Sequence, residues 1–287
     1  MALNQKETAY VTGGASGIGK ALVGMLAERG IRVCIADFNI EAAEKVASEL
    51  NQKSSNEDVW AIKVDVSSWD SQATAFEKAI EVFERIDYVF PVAGIGEKRA
   101  LPNRPNATGP FEKPDLAVMD VDGTGMIYTI WLGVQHFRRQ KTLNRYGFKG
   151  KIICVSSICG IYVFPASPVY SAAKYAVVGF VRTYGVIIAQ ENITLNAVCP
   201  GIVETGISAH APWYHAEARK RGCLVEMSQI MDAFSMLMGG EKMSGQCVEV
   251  VAKHGARVVN FPPASKESDI GGEISYKRNR PFHDPVE

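Results

Sequence analysis

The sequence predicts an α/β fold in which a doubly wound parallel sheet carries helices on both faces. Short apolar runs rich in β-branched residues alternate with longer segments of helical periodicity. The runs are apolar at nearly every position, as expected for strands that helices cover on both sides. Apolar residues make up 47% of the 287 residues, which is enough for a large buried core. No internal repeat interrupts the alternation, so we expect a single domain over residues 1–287.

The individual elements follow from these runs and from the turn residues between them. Six strands are predicted in TAYVTGG, IRVCIADF, VWAIKVDV, DYVFPVAG, KIICVSS and ITLNAVCPG. The helices after the first five are predicted in IGKALVGMLAERG, IEAAEKVASELNQ, SQATAFEKAIEVFERI, DLAVMDVDGTGMIYTIWLGVQHFRRQ and PVYSAAKYAVVGF. A core helix follows in VEMSQIMDAFSMLM, and QCVEVVA and ARVVNF flank KHG as a hairpin.

Three regions depart from this alternation. Residues 96–114 contain four prolines and are predicted to be a loop at the carboxyl end of the fourth strand, where such sheets bind ligands. Residues 206–224 follow the sixth strand and are predicted to form a small lid over the substrate. Residues 262–287 are polar, and we expect a C-terminal tail that is loosely ordered or lies on a partner subunit.

Charge and composition exclude several classes of protein. Lys plus Arg and Asp plus Glu each number 31, so the balance does not favour a nucleic-acid or anionic-membrane partner. MALNQKETAY has no basic region followed by an apolar run, and no stretch approaches the ~20 apolar residues of a membrane span. DPVE matches no peroxisomal or endoplasmic-reticulum address. We therefore expect a cytoplasmic protein.

The cysteines and histidines do not indicate a metal site. The six cysteines form no CxxC pair, and four of them lie in strand-like runs, so we expect free, mostly buried thiols in a reducing compartment. His210 and His215 lack an evident third ligand and are expected to be solvated.

A glycine-rich turn predicts a dinucleotide site. VTGGASGIGK joins the first strand to the first helix, and Gly13, Gly17 and Gly19 permit a tight turn and close approach of a phosphate. The N–H groups at the helix start, around Ser16 and Ile18, attract the pyrophosphate. Three glycines alone are a weak signal, but their place between the first strand and helix favours the cofactor over a structural turn.

The end of the second strand favours NAD over NADP. Asp37 is positioned to accept hydrogen bonds from both adenine-ribose hydroxyls and would repel a 2′-phosphate. The next residue, Phe38, is not basic. Asp37 has an alternative role as a helix N-cap, for which Asn39 is better placed. Asp65 and Val66 end the third strand and are candidates for adenine contacts, although a plain strand-end Asp is an equal alternative for Asp65.

Tyr170 and Lys174 in SPVYSAAKYAVVGF suggest acid/base chemistry. Residues four apart share a helix face, so the ammonium of Lys174 lies beside the phenol and is predicted to lower its pKa. Such a phenolate accepts the proton of an alcohol while hydride leaves the adjacent carbon. Ser156 and Ser157 end the preceding strand and offer a hydroxyl to hold the substrate oxygen. An ordinary surface Tyr–Lys pair is the alternative, and the glycine turn and the serines argue against it.

Together TGGASGIG, Asp37, the serine pair, YSAAK and PG at 200–201 resemble the short-chain dehydrogenase/reductase family over roughly residues 6–260. The resemblance implies a Rossmann fold, Ser157 as the orienting hydroxyl because it precedes Tyr170 by thirteen residues, Tyr170 as acid/base, and Lys174 as the group that binds the nicotinamide ribose and tunes Tyr170. It also implies cofactor contacts by Ala93, Gly94, Pro200, Gly201, Val203 and Thr205.

Two positions depart from the family pattern. The fourth strand usually ends in Asn-Asn-Ala-Gly but reads PVAG here, so Val92 replaces an asparagine that braces the sheet. Asp122 stands where a catalytic Asn usually holds a water of the proton relay. An aspartate there is able to accept from a water and to support Lys174, and a surface acid on the helix is an equal alternative.

Several segments are similar to NAD-dependent 15-hydroxyprostaglandin dehydrogenase-like members of the family: ADFNIEAA, PVYSAAKYAVVGF and LNAVCPGIVET. This likeness implies oxidation of a secondary alcohol on a lipophilic molecule. Trp213 and Tyr214 suggest an apolar, ring-bearing substrate, with lid packing as an equal alternative.

The sequence thus predicts an NAD-dependent alcohol dehydrogenase. We expect a homodimer or homotetramer associated through helices at 115–140 and 168–190. A non-catalytic NAD sensor or scaffold, and a recruited fold that catalyses a non-redox step, are the alternatives.

Overall fold

A mixed sheet of eight strands forms the centre of the computed structural model, which describes residues 6–98, 109–263 and 265–279. The strands are β1 (Thr8–Thr12), β2 (Arg32–Asp37), β3 (Val59–Lys63), β4 (Tyr88–Pro91), β5 (Gly150–Val155), β6 (Ile193–Pro200), β7 (Ile202–Val203), β8 (Leu224–Val225), β9 (Cys247–Val251) and β10 (Gly255–Val258). The order in the large sheet is β10-β9-β6-β5-β4-β1-β2-β3, and only the β9–β10 pair is antiparallel among the described strands. β7 and β8 pair separately. The predicted doubly wound parallel sheet is confirmed.

Helices cover both faces of this sheet. They are α1 (Gly17–Glu28), α2 (Ile40–Ser54), α3 (Trp69–Phe83), α4 (Met126–Arg139), α5 (Pro168–Ile188), α6 (Pro212–Lys220), α7 (Met227–Met238) and α8 (Lys266–Asn279). A π-helical segment, Met119–Gly125, precedes α4 and carries Asp122. π-Helical turns are rare and occur mostly at functional sites.

β1 illustrates why two cores form. Its side chains alternate, so Ala9 and Val11 enter one cluster while Tyr10 enters the other. The first cluster packs β1 against α1, α2 and α7, and the second packs the opposite face against α3, α4 and α5. Burial on both faces explains the near-continuous apolar strands that the sequence shows.

The sheet is open at the carboxyl end of β4. The β4–β5 ladder contains only the pairs at Tyr88 and Val89, and it stops two residues before Pro91, which has no N–H to donate. β1 continues alongside β4 as far as Pro91. The carboxyl ends of β1 and β4 therefore face the same crevice, at the point where the strand order reverses.

The regions predicted to be irregular have different outcomes. The hairpin near the C-terminus is confirmed by β9 and β10. The described parts of the 96–114 loop, 96–98 and 109–114, have no helix or strand, and the remainder lies outside the described residues. The segment 206–224 folds into a short 3-10 turn, Gly206–Ser208, followed by α6.

Residues Lys266–Asn279, in the tail predicted to be loosely ordered or to lie on a partner subunit, form the helix α8. Ser265 accepts the N–H of Ser268 through its hydroxyl, as an N-terminal cap does. Glu267 and Asp269 lie in the first turn, whereas Lys277 and Arg278 lie in the last. These charges complement the helix dipole and stabilise a helix that buries little surface.

One segment among the described residues meets a criterion of length and apolar composition for a membrane span. The stretch Pro168–Glu191, which contains α5, meets that criterion by length and composition, with a mean hydropathy of 1.3. In the fold, α5 is a core helix whose buried residues, among them Val177, Val178 and Val181, pack on the sheet. Its apolar composition has an explanation in this packing.

Candidate active site

The glycine turn lies at the carboxyl end of β1, against β4. Gly13 has φ +72°, and a Cβ there would lie 2.6 Å from the Cα of Ala93, so only glycine fits. α1 begins at Gly17, with Ile18 and Gly19 in its first turn. The Ser16 side chain does not cap this helix, and the first turn contains no acidic residue. Its N–H groups are therefore available to an external anion such as a pyrophosphate.

The residues predicted to meet the adenosine half lie next to this turn. The carboxylate of Asp37 accepts the N–H of Ala15 at 2.9 Å and that of Asn39 at 3.0 Å, which holds it beside the glycine turn. The alternative role of Asp37 as helix cap falls instead to Asn39, whose side chain accepts the N–H of Ala42. Phe38 is 68% exposed.

Hydrogen bonds fix the turn after β3, and those made by Gln72 are buried. Asp65 accepts the N–H and the hydroxyl of Ser67, and Val66 is buried. The amide of Gln72 donates to the carbonyl of Val66 at 2.6 Å and to that of Gly125 at 2.7 Å. Gln72 thereby ties the candidate adenine contact to the π-helical segment. Nothing in the sequence pattern singled out this glutamine.

A cavity of about 480 Å³ lies between the glycine turn and the segment 206–224. Gly17 and Thr205 line it side by side, since a Cβ on Gly17 would lie 3.4 Å from the Cβ of Thr205. The ion pair of Glu204 with Arg219, at 2.7 Å, joins the segment after β7 to α6. Gly201 connects β6, which ends at Pro200, to β7, which contains Val203. Its N–H donates to the carbonyl of Val250. The cavity is thus bounded by the start of α1 on one side and by residues between Glu204 and Arg219 on the other.

The expectation that His215 is solvated is wrong. Its ring is buried and lies 2.7 Å from the hydroxyl of Ser208, so it ties α6 to the 3-10 turn. His210 is exposed, as expected. No group of three His, Cys, Asp or Glu side chains able to hold a metal exists within the described residues.

Lys174 and Asp122 form a buried ion pair. Their side chains are almost entirely shielded from solvent, and Nζ lies 3.0 Å from Oδ2. The other carboxylate oxygen accepts the N–H of Ile95 at 2.8 Å. The alternative that Asp122 is a surface acid is therefore wrong. The π-helical segment turns this side chain inward toward α5, where it supports Lys174.

Tyr170 lies one turn before Lys174 on the same face of α5. Lys174 Nζ is 5.2 Å from the centroid of the phenol ring. Burial raises the pKa of Tyr170 above its ordinary value, Lys174 and a hydrogen bond with Ser157 lower it, and Asp122 raises it. The ammonium of Lys174 thus lowers the pKa of Tyr170 as predicted, but the net direction of the shift is upward. The reason is that burial and the Asp122 carboxylate outweigh the ammonium.

The charge of Lys174 is secured by its neighbours. Burial alone would lower the pKa of Lys174, but the carboxylate of Asp122 and the nearby Tyr170 raise it above the ordinary lysine value. A permanent cation is thus held beside the phenol.

The two serines at the end of β5 have different surroundings. The Ser156 hydroxyl is buried and donates to the backbone carbonyl of Lys174 at 3.1 Å, which fixes α5 against the sheet. The Ser157 hydroxyl accepts the N–H of Cys159 and faces Tyr170. The structure therefore brings Ser157, Tyr170, Lys174 and Asp122 together in one site.

The chain after β4 is held to β1 by hydrogen bonds to Thr12. Thr12 Oγ1 accepts the N–H of Val92 at 3.1 Å and that of Ala93 at 3.3 Å. The side chain of Val92 packs against the core of the β1 face. These two backbone bonds to Thr12 hold Ala93 next to Gly13.

Sequence reasoning missed one residue at this site, Glu97. Its carboxylate accepts the backbone N–H of Tyr170 at 2.7 Å, across 73 residues of chain. The residue lies in the proline-containing loop, where local pattern carries no signal for such a contact.

Comparison with known proteins agrees with this geometry. The family model described as short chain dehydrogenase matches residues 7–213. The chain belongs to the short-chain dehydrogenase family. Members of this family are oxidoreductases that bind a nicotinamide cofactor and act on small molecules.

Individual short-chain dehydrogenases are similar over most of the chain. The 15-hydroxyprostaglandin dehydrogenase [NAD(+)] of Macaca fascicularis is 30% identical over 203 residues, covering 70% of this chain and 70% of that protein. The 5'-hydroxyaverantin dehydrogenase of Dothistroma septosporum is 30% identical over 262 residues, covering 88% and 83%. The structure of a 3-ketoacyl-(acyl-carrier-protein) reductase from Brucella melitensis complexed with NADH superposes with a TM-score of 0.73 at 22% identity, over 88% of this chain and 99% of that one.

Proposed function

We propose that this short-chain dehydrogenase oxidises a secondary alcohol on a lipophilic small molecule with NAD. The observation that carries the proposal is the convergence of Ser157, Tyr170 and the buried Lys174–Asp122 pair at the crevice that faces the glycine turn. The same residues serve the reverse reduction of a ketone, and the cofactor ratio decides the direction.

The residues of this chain would divide the chemistry as follows. The Ser157 hydroxyl donates a hydrogen bond to the substrate oxygen and orients it. Tyr170 in its phenolate form accepts the hydroxyl proton of the alcohol as the carbon–hydrogen bond breaks. When bound, NAD supplies the acceptor for the hydride that leaves the carbinol carbon. Lys174 stabilises the phenolate with a charge that Asp122 keeps in place.

Residues on both sides of the crevice would bind the cofactor. The uncapped N–H groups of α1 would meet the pyrophosphate, and Asp37 the adenine ribose. Val66 would contact the adenine. The Lys174 ammonium would also bind the nicotinamide ribose, and Val203 and Thr205 would face the carboxamide. The carboxylate of Asp37 beside the ribose position supports NAD rather than NADP.

Apolar side chains near the site support a lipophilic substrate. Trp213 is 72% exposed, so packing inside the lid does not account for it. Tyr214 is half-buried and lies close enough to Tyr170 and Cys159 for their charges to affect its pKa, which burial chiefly raises. Both named relatives carry a hydroxylated molecule in their names. We propose that 206–224 forms a lid against which an apolar, ring-bearing substrate packs.

The proposed assembly is a homodimer or homotetramer in the cytoplasm. Exposed apolar side chains along the helices at 115–140 and 168–190, among them Leu116, Tyr175 and Val186, support association there. The six cysteines are free, which supports a reducing compartment.

The test is NADH formation from NAD across a panel of lipophilic secondary alcohols, with Tyr170→Phe as the matched variant. Phenylalanine fills the same space but has no proton to exchange. The proposal expects turnover by the wild type and a loss of about 10²–10⁴-fold in the variant. A variant with full activity would refute the role of Tyr170.

A further inference from the structure

The loop segment 94–97 runs between two members of the catalytic cluster. Its N–H at Ile95 binds Asp122 Oδ1 at 2.8 Å, and a Cβ on Gly94 would lie 2.9 Å from Asp122 Oδ2. At its other end, Glu97 Oε2 accepts the N–H of Tyr170 at 2.7 Å. We name this segment the strap. It contacts the partner of Lys174 at one end and the backbone of Tyr170 at the other.

Glu97 contacts α5 at its N-terminus, where the usual capping bond from the N-cap side chain is absent. Ser167 is the N-cap residue, Pro168 and Val169 are the first two helical residues, and Tyr170 is the third. The N–H of the third helical residue is normally satisfied by the side chain of the N-cap residue, but Ser167 makes no such bond. Glu97 therefore caps the helix from a distant part of the chain.

A carboxylate at this position has two physical effects. It satisfies a donor in the first turn, and its negative charge is favourable at the positive end of the helix dipole. Tyr170 itself carries the bonded N–H, so the first turn of α5 is restrained at the residue whose phenol would exchange the proton. The restraint acts from the same strap that contacts Asp122, which holds Lys174.

We infer that Glu97 is a positioning residue that fixes Tyr170 relative to Lys174 and Asp122. The inference rests on the proposed function, in which Tyr170 is the acid/base. Glu97 exchanges no proton with the substrate in this account. Its contribution is geometric, because the phenol must lie within hydrogen-bond reach of the alcohol and small displacements of a reacting group reduce rates strongly.

Three variants test this inference. Glu97→Ala removes the acceptor, Glu97→Gln keeps a carbonyl oxygen able to accept the same N–H, and Glu112→Ala removes an exposed carboxylate from the same loop region. We expect Glu97→Ala to reduce kcat by about 10- to 100-fold, and Glu97→Gln to stay within about threefold of wild type. The NADH dissociation constant is expected to stay near the wild-type value in all three.

A second measurement does not depend on turnover. Hydrogen-exchange mass spectrometry on peptides spanning 168–174 should show faster exchange at the start of α5 in Glu97→Ala than in wild type or in Glu112→Ala, because the Tyr170 amide has lost its acceptor. Glu97→Gln should retain protection.

The inference would be overturned if Glu97→Ala kept the wild-type kcat, if Glu97→Gln lost as much activity as Glu97→Ala, or if exchange at 168–174 did not change. These outcomes are separable from failure of the proposed function. If the proposed function failed, the wild type would bind NADH without turnover or Tyr170→Phe would stay active. The exchange experiment would still report on the Glu97 contact.

Discussion

At the scale of single residues, Asp122 is the most informative departure from the family pattern. It is buried against Lys174, and its charge acts on two neighbours in the same direction, raising the pKa of both Lys174 and Tyr170. An asparagine there would still accept the N–H of Ile95 but would carry no charge. The chain therefore combines a firmly protonated lysine with a more basic phenol.

Asp122→Asn should move the pH dependence of alcohol oxidation to lower pH. In the proposed mechanism Tyr170 acts as phenolate, so activity should rise with pH through the pKa of Tyr170, and removing the Asp122 charge should lower that pKa. Lys174 loses the partner that raises its own pKa, so the decline at high pH should also begin earlier.

The measurement is kcat against pH for wild type and Asp122→Asn, with Asp120→Asn as the control. Asp120 lies in the same π-helical segment but is exposed. An unchanged pH profile, or a shift to higher pH in Asp122→Asn, would contradict the claim that the Asp122 charge raises the pKa of Tyr170.

At the scale of elements, the glycine turn and the first helix show where a glycine is required and where it is not. A Cβ on Gly13 would meet the backbone of Ala93, whereas a Cβ on Gly24, inside α1, would meet nothing within 4 Å. Gly13 therefore allows β1 and β4 to lie close together, whereas Gly24 only lowers the stability of α1.

The paired substitutions Gly13→Ala and Gly24→Ala should therefore have opposite effects. Gly24→Ala should raise the free energy of unfolding by about 0.5–1 kcal/mol, because alanine is the better helix former. Gly13→Ala should lower it and weaken NADH binding. Urea unfolding and fluorescence titration with NADH measure the two quantities. If Gly13→Ala bound NADH as wild type does, the close approach of β1 and β4 would not matter to the cofactor.

Gln72 connects three elements through one amide. It joins the turn after β3 to the end of the π-helical segment, and its oxygen accepts the hydroxyl of Thr129 on α4 at 2.7 Å. Gln72→Leu should destabilise the protein by about 1–3 kcal/mol, because the buried Val66 carbonyl loses its amide donor, while the Thr129 hydroxyl and the Gly125 carbonyl keep only their bond to each other. The control is Gln52→Leu on the exposed side of α2, and equal stability of the two variants in urea would contradict this role.

Most of the fold was predictable because its signals are local. Apolar runs and glycine or proline turns located each strand of the large sheet, and the spacing of Tyr170 and Lys174 indicated the candidate site. The capping of α5 by Glu97, the burial of His215 and the inward turn of Asp122 were not predictable. Each depends on a contact between segments that the sequence does not show to be neighbours.

The net effect on Tyr170 was misjudged for a related reason. The sequence shows the ammonium four residues away but not the depth of burial or the carboxylate that faces it. The sign of a pKa shift depends on all three, so it needs the folded surroundings.

At the scale of the whole molecule, cofactor binding and stability are linked. A ligand that binds only the folded chain stabilises it, by about 2.7 kcal/mol at a concentration 100-fold above its dissociation constant. NADH should therefore raise the unfolding temperature more than NADPH at equal concentration, because Asp37 would repel a 2′-phosphate. Asp37→Ala should reduce the difference. Equal stabilisation of wild type by NADPH would contradict the cofactor preference.

The measurement that tests the central claim most directly follows the hydride itself. A lipophilic secondary alcohol deuterated at the carbinol carbon is incubated with NAD and the enzyme, and the reduced cofactor is analysed by mass spectrometry. The account predicts deuterium in the NADH formed by wild type and almost no NADH formed by Tyr170→Phe. A cofactor that binds but gains no deuterium, or a product of unchanged mass, would contradict it.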